Sequence, residues 1–532
     1  MKSVTILTIA AMAMAAATGC SHDTPTPSPE PPVKGGEFNE FGFTTTAPVT
    51  LSVDYGDMAG MPANVYFEVY DTCPVEETET AYAKIAGVEP LYAGYTDGQG
   101  RFEGTIELPA YIRKAYVLTP AFYARTLLEA TRSGDMLTAS AESGAPANAA
   151  PASTRAKEYH STAVERDGWK TWLGSYDTTY GSIGYEYDGD LKVKNYGALL
   201  KAHASVFDTT KKCPKEYRSS RDLYLEKSAE VVITLLGSNT CWNSSMGYYY
   251  YKTGNKPKSL ADANVVMIFP NTQDGRWSNS PWESRLYQGV ERGTAVQLIY
   301  YPEIADGSKA GATTVFPADY RIGFVLATNA WTNRLRAGDK KYRAATSDGL
   351  SVNNNGVAYQ TPRTAVFRYT DKKSGINSVL FSFEDHTNDE NFSDVVFTMT
   401  SNPVDAVTDI PSVDVNDGKK TANVLRGIYA FEDLWPSRGD YDMNDVMVRS
   451  DYEKVFNEKG VFEESFMLKT FANFAGNANG LAVTLTGAAA DAKLEFSVRK
   501  PGAETFEAAD FERDGKVVLL TPDVKETMGA TY

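Results

Sequence analysis

One acidic motif occurs twice in this chain, and both times it interrupts a strand-like pattern. In the first copy Phe383-Glu384-Asp385 is followed by Asp389-Glu390-Asn391-Phe392-Ser393-Asp394-Val395. In the second, Phe431-Glu432-Asp433 is followed by Asp440-Tyr441-Asp442-Met443-Asn444-Asp445-Val446. Alternate residues of a strand share a face. Phe381 and Phe383 therefore set an inward phase that Asp385 continues, and Phe431 with Asp433 repeats it. Beyond the loop Val395, Phe397 and Met399 take the inward phase, as do Val446 and Val448. Each motif predicts a strand, an acidic loop and a second strand. An inward carboxylate at the rim of a sheet needs a partner, because burying an unpaired charge is costly.

The first loop offers Glu384, Asp385, Asp389, Asn391 and Asp394 as oxygen donors. The second offers Glu432, Asp433, Asp440, Asp442, Asn444 and Asp445. An all-oxygen set suits a hard cation, above all Ca2+. Asp440-x-Asp442-x-Asn444 has the one-three-five spacing of calcium loops. Position six is Asp445 rather than glycine and position twelve is Asp451 rather than glutamate, so the loop is not an EF-hand. Two metal-free readings stand beside this one. Asp and Asn favour solvated turns, and buried carboxylates can accept backbone N–H bonds. Catalysis would need two carboxyls at a defined separation across a cleft, which adjacent Glu-Asp pairs do not specify. No nucleophile elbow, zinc-protease helix or P-loop is present. The expectation is a non-catalytic protein, with a hydrolase as the alternative that would require such a cleft.

The N-terminus reads as a secretion signal over 1–19, with Lys2 ahead of an apolar stretch from Val4 to Ala17. Cys20 follows small residues, which resembles a bacterial lipoprotein signal in which that cysteine is acylated. This implies attachment to a membrane through a lipid anchor at Cys20. Residues 20–36 are proline-rich and predict an extended tether. The net charge is −16, which argues against nucleic acid as a partner. Cys73, Cys213 and Cys241 remain, and Cys213 with Cys241 is the candidate disulfide in an oxidising compartment.

Short alternating runs punctuated by Gly, Asn and Asp predict a mostly β chain of several antiparallel β-sandwich modules. The first folded module is placed at 37–120. There Thr96-Asp97-Gly98-Gln99-Gly100-Arg101-Phe102 supplies hairpin-turn chemistry and resembles small prealbumin-type sandwich modules of surface proteins. Residues 121–158 read as a linker, 159–401 as a central β domain holding the first acidic motif, 402–420 as a joint, and 421–532 as the last module. Trp242 with Tyr248, Tyr249 and Tyr250 are the candidate glycan contacts, set against their use as sandwich core.

Residues 429–448, from Tyr429-Ala430-Phe431-Glu432-Asp433 to Asp445-Val446-Met447-Val448, strongly resemble the opening signature of LruC-domain lipoproteins. Asn477-Ala478-Asn479-Gly480-Leu481 is similar to the Asn-Gly segment that follows in that family. Gly237-Ser238-Asn239-Thr240, Gly247-Tyr248-Tyr249-Tyr250, Ile322-Gly323-Phe324 and Phe383–Phe397 resemble the domain of unknown function that usually precedes it. Ser393 stands where asparagine is common in that upstream motif. The resemblance implies a β-rich outer-membrane lipoprotein without established activity, and a last module that continues beyond Tyr532. The functional expectation is a lipid-anchored envelope protein with Ca2+-stabilised hairpins and a structural or adhesive role. A glycan-binding surface lipoprotein is the alternative, and the surface or periplasmic orientation stays open.

Overall fold

The computed structural model describes residues 46–56, 64–77, 82–141, 169–177, 181–194, 197–240, 242–273, 289–332, 336–337, 343–353, 355–371, 376–385, 389–412, 420–433, 442–457, 460–484, 494–499 and 503–528. The signal 1–19, Cys20, the tether, Cys241 and Asp440 lie outside the described residues.

Seven strands build the first sheet: β1 (Thr46–Asp54), β2 (Tyr66–Tyr70), β3 (Tyr92–Tyr95), β4 (Arg101–Pro109), β5 (Lys114–Leu118), β6 (Leu127–Ser133) and β7 (Met136–Ser140). Their order is β3-β2-β5-β6-β7-β1-β4. In β1 the apolar Val49, Leu51 and Val53 alternate inward as a half-buried strand requires. The sheet curls on itself, since Phe67 of β2 meets Phe102 of β4 from the far end of the order, with ring centroids 5.1 Å apart. The Asp97 turn forms: the Asp97 carboxylate accepts from the Gln99 and Arg101 amides at 2.8 and 2.9 Å, and Gly100 takes φ 76°. It is not a hairpin, however. β3 pairs with β2 and β4 with β1, so the turn carries the chain from one layer to the other. The linker expected over 121–158 is corrected for 121–141, and 142–158 lie outside the described residues. Strands β6 and β7 complete the sheet, β7 pairing in parallel with β1. Their inward residues are Leu128, Ala130, Leu137 and Ala139; two are only alanines, and the outward neighbours Leu127 and Met136 blur the alternation.

The central region holds β8 (Trp169–Trp172), helix α1 (Gly197–Val206), β9 (Leu223–Leu225), β10 (Ala229–Ser238), β11 (Ser245–Lys252), β12 (Val265–Phe269), β13 (Tyr320–Ala327), β14 (Thr364–Asp371), β15 (Ile376–Phe383) and β16 (Val395–Asn402). One sheet runs β8-β12-β11-β13-β9 and the facing sheet β10-β16-β15-β14. Between them Phe381 and Phe397 stack at 4.7 Å, and Phe324 of β13 meets both edge-on. Phe381, Phe383, Val395, Phe397 and Met399 lie in this core, in the phase that the alternation predicts.

The opposite face of the second sheet is buried as well. Leu236, Phe367, Leu380 and Val396 join Leu199 and Leu200 of α1, Phe207 and the interior of the first module in one apolar cluster. Helix α1 sits in the seam, so its buried His203 stacks on Phe207 and meets Phe122 edge-on. Its Nε2 lies 3.0 Å from Ser382 Oγ, and burial pushes the imidazole down to about 3, which keeps it neutral. Cys213 is a free, buried thiol in the same cluster, and Cys241, its candidate disulfide partner, lies outside the described residues.

The last region has three long strands, β17 (Lys420–Phe431), β18 (Val446–Asn457) and β19 (Gly460–Ala472), in that order. A second small sheet contains β20 (Leu481–Thr484) and β21 (Val517–Thr521), followed by the short helix α2 (Val524–Met528). One face of β18 is shared between two partners. Val446 and Val448 pack with Leu481, Leu520 and Val524, whereas Tyr452 and Phe456 pack with Tyr66, Ala93 and Tyr95 of the first module.

Candidate metal centre

Both acidic loops have the same backbone frame. Phe383 pairs with Val395 across the first and Phe431 with Val446 across the second. In the first, the Asp385 amide donates to Asp394 Oδ2 at 2.6 Å. In the second, the Asp433 amide donates to Asp445 Oδ2 at 2.8 Å. Phe392 and Met443 occupy the same place in the two loops and adopt φ 59° and 54°, a left-handed conformation uncommon for such side chains. The next amide donates back to the preceding polar side chain: Ser393 to Asn391 Oδ1 at 2.7 Å, Asn444 to Asp442 Oδ1 at 3.3 Å.

A third segment closes each loop from the end of a neighbouring strand. After β10, the Asn239 amide donates to the Ser393 and Asp394 carbonyls at 3.2 Å, and Thr240 Oγ1 donates to Asp385 Oδ2 at 2.6 Å. After β19, the Phe474 and Ala475 amides approach the Asn444 and Asp445 carbonyls at 3.4 Å, and Asn477 Nδ2 donates to Asp433 Oδ2 at 3.0 Å. In both cases the third strand lies beside the second strand of the hairpin. It precedes the hairpin in sequence in the first copy and follows it in the second, so the unit recurs with a different chain order.

This frame gathers Glu384, Asp385 and Asp394 in one cluster and Glu432, Asp433 and Asp445 in the other. One carboxylate oxygen from each residue lies within 4.8 Å of the others in its cluster. Two oxygens bound to one calcium at about 2.4 Å can be at most about 4.8 Å apart, so both sets fit one ion. The first cluster is sealed, with Glu384, Asp385 and Asp394 no more than 4 % exposed. Burial raises all three, reinforced for Glu384 by Asp389 and for Asp394 by Asp385. Asp385 reaches about 7, while Glu384 and Asp394 stand well above the usual carboxylate range. Asp389 is also raised by burial. Arg363, itself buried, reaches Glu384 at 3.2 Å and is the guanidinium inside the site. Four carboxylates around one guanidinium leave an excess of buried negative charge that a divalent cation would offset.

The remaining donors serve other roles. Asn391 donates to Asp389 Oδ2 at 2.8 Å and to the Thr209 carbonyl at 3.1 Å while its oxygen holds the Ser393 amide, so it knits the loop together. Asp442 is exposed and bonded to Asn444, apart from the second cluster. Asp451, at position twelve of the calcium-loop spacing, lies in β18 and pairs with Arg449 at 3.2 Å. Glu390 stands outside the cluster but shares its guanidinium: Lys212 and Arg218 lie 3.4 Å from it and Arg363 3.8 Å. These cations outweigh its burial and hold it below its ordinary value. Arg363, Thr240 and Asn477 were not singled out from sequence as site residues. The available signal is that Thr240 closes Gly237–Thr240 and Asn477 opens Asn477–Leu481, segments that resemble parts of the upstream domain and of the LruC domain respectively.

The glycan reading is corrected at two positions. Tyr248 and Tyr249 are fully buried, and their hydroxyls bond to the Ile299 carbonyl at 2.6 Å and Ser347 Oγ at 2.7 Å. They brace loops from within the sandwich because β11 is covered on both faces. Tyr250 is half-buried and donates to the Tyr301 carbonyl at 2.7 Å, and Trp242 is half-buried beside Thr240.

Residues 47–141 match DUF8469, a domain of unknown function, and residues 316–402 match DUF4114, another domain of unknown function. The first match covers strands β1 to β7. The second runs from before β13 to the end of β16 and contains the first acidic loop. No curated protein matches the chain, and no solved structure matches it.

Proposed function

We propose that the chain is a non-catalytic, lipid-anchored envelope protein of the LruC type, in which Ca2+ braces two acidic hairpins for a structural or adhesive role. The observation that carries this reading is the recurrence of one carboxylate cluster, with one hydrogen-bond frame, in two different parts of the chain. Solvated turns have no reason to bury their carboxylates, and the first cluster is buried. Within each cluster one oxygen per residue lies within 4.8 Å of the others, closer than the roughly 5–5.5 Å between carboxyl groups of a retaining glycosidase, a spacing that suits an ion. Cys20 supplies the anchor and the outer membrane the location. Protein or glycan partners would be met by the folded modules.

The test is calcium-dependent thermal unfolding of the full chain. Wild type should gain several degrees in millimolar calcium over EDTA, as a ligand that binds only the native state requires. Asp433→Asn with Asp445→Asn should lose part of that gain, and Asp385→Asn with Asp394→Asn the rest. An unchanged midpoint in wild type would leave both loops as metal-free turns.

A further inference from the structure

The lower half of β18 carries a cation where a core side chain would be expected. Tyr452, Lys454 and Phe456 run along one face, level with Lys420 and Ala422 of β17 and with Val461, Glu464 and Phe466 of β19. This face lies on Tyr66 of β2 and on Ala93 and Tyr95 of β3. Lys454 Nζ sits 4.4 Å from the Phe456 ring centroid and 4.8 Å from that of Tyr92. It donates to the Ala93 carbonyl at 2.6 Å, on the edge strand of the first sheet. Among the described residues it forms no ion pair; the cross-strand Glu464 carboxylate accepts the Tyr452 hydroxyl through Oε1. Lys420 lies 5.4 Å over the Tyr66 ring.

We propose that this contact is a latch: the ribbon β17-β18-β19 docks on the first module, or lifts from it, according to whether Lys454 carries its proton. The aromatic wall excludes water from the ammonium, and the ring faces and a single carbonyl offset that lost hydration only in part. Burial pushes Lys454 down to about 8, against the opposing pull of Glu464. Lys420 is lowered by burial too, with Asp208 and Glu68 holding it up and Lys211 acting against it. The phenols that face the pair, Tyr66, Tyr92 and Tyr452, are raised by burial and stay neutral through this range. A docked value below that of a free lysine, about 10.4, means that the lifted form binds more protons between the two, so docking tightens as pH rises. The latch stands apart from the acidic loops, at the other end of β18.

Hydrogen exchange of the full chain at constant calcium, corrected for the intrinsic rate, reads the latch at residues 92–95 and 460–466. Wild-type protection should rise about tenfold between pH 8 and 9.5. Lys454→Met should show high protection at both values, and Phe456→Ala low protection at both, which establishes that the reporter follows docking. A flat wild-type response, or a Lys454→Met protein with the wild-type response, would overturn the proposal.

Discussion

Asp394 and Asp445 show how one side chain sets a loop. Each accepts the amide of the aspartate across its hairpin, which fixes the loop ends and turns the remaining oxygens toward the cluster. The sealed first cluster makes a pH prediction. Without a cation, burial holds Glu384, Asp385 and Asp394 above their unfolded values, so the native state keeps protons that the unfolded chain releases. That stabilisation is complete below about pH 4 and is lost as pH rises through about 7, the value of Asp385. Urea midpoints in EDTA should therefore fall between pH 5 and 8, and calcium should flatten the decline by binding the ionised carboxylates. Equal slopes with and without calcium would place no ion at the first cluster.

At the scale of elements, β11 and β13 explain why two of four consecutive tyrosines, Tyr248 and Tyr249, are core. Alternation sends Tyr248 and Tyr250 to one side and Tyr249 and Tyr251 to the other, and each hydroxyl finds an acceptor. Tyr249 pairs with Gly323 on β13 and lays its ring over it, so a Cβ there would stand 2.4 Å from the ring. Gly323→Ala should cost about 1–3 kcal/mol by overpacking, read as a lower urea midpoint with unchanged calcium response. The acidic hairpins were legible in sequence because alternation and loop chemistry are local. The three-segment frame was not, because Thr240 lies far from Asp385 in the chain and no periodicity connects them.

Over the whole molecule, the first module and the central sandwich share an apolar cluster. The second central sheet is covered on one face by the other sheet and on the other by α1 and the first module. A chain beginning at residue 169 should therefore expose Leu236, Phe367, Leu380 and Val396. It should bind a hydrophobic dye strongly and aggregate at concentrations where the full chain stays in solution, as measured by fluorescence and light scattering. The mostly β class, the core phase of β15 and β16 and the position of both acidic loops followed from the sequence alone, because period-two alternation and the turn preferences of Asp and Asn act over a few residues. Tertiary structure alone decided that residues 121–141 belong to the first sheet, that Arg363 enters the first cluster, that Tyr248 and Tyr249 are core, and that β18 divides its face between two modules. Those outcomes depend on which surfaces meet, and burial and charge compensation are settled only when distant segments come together.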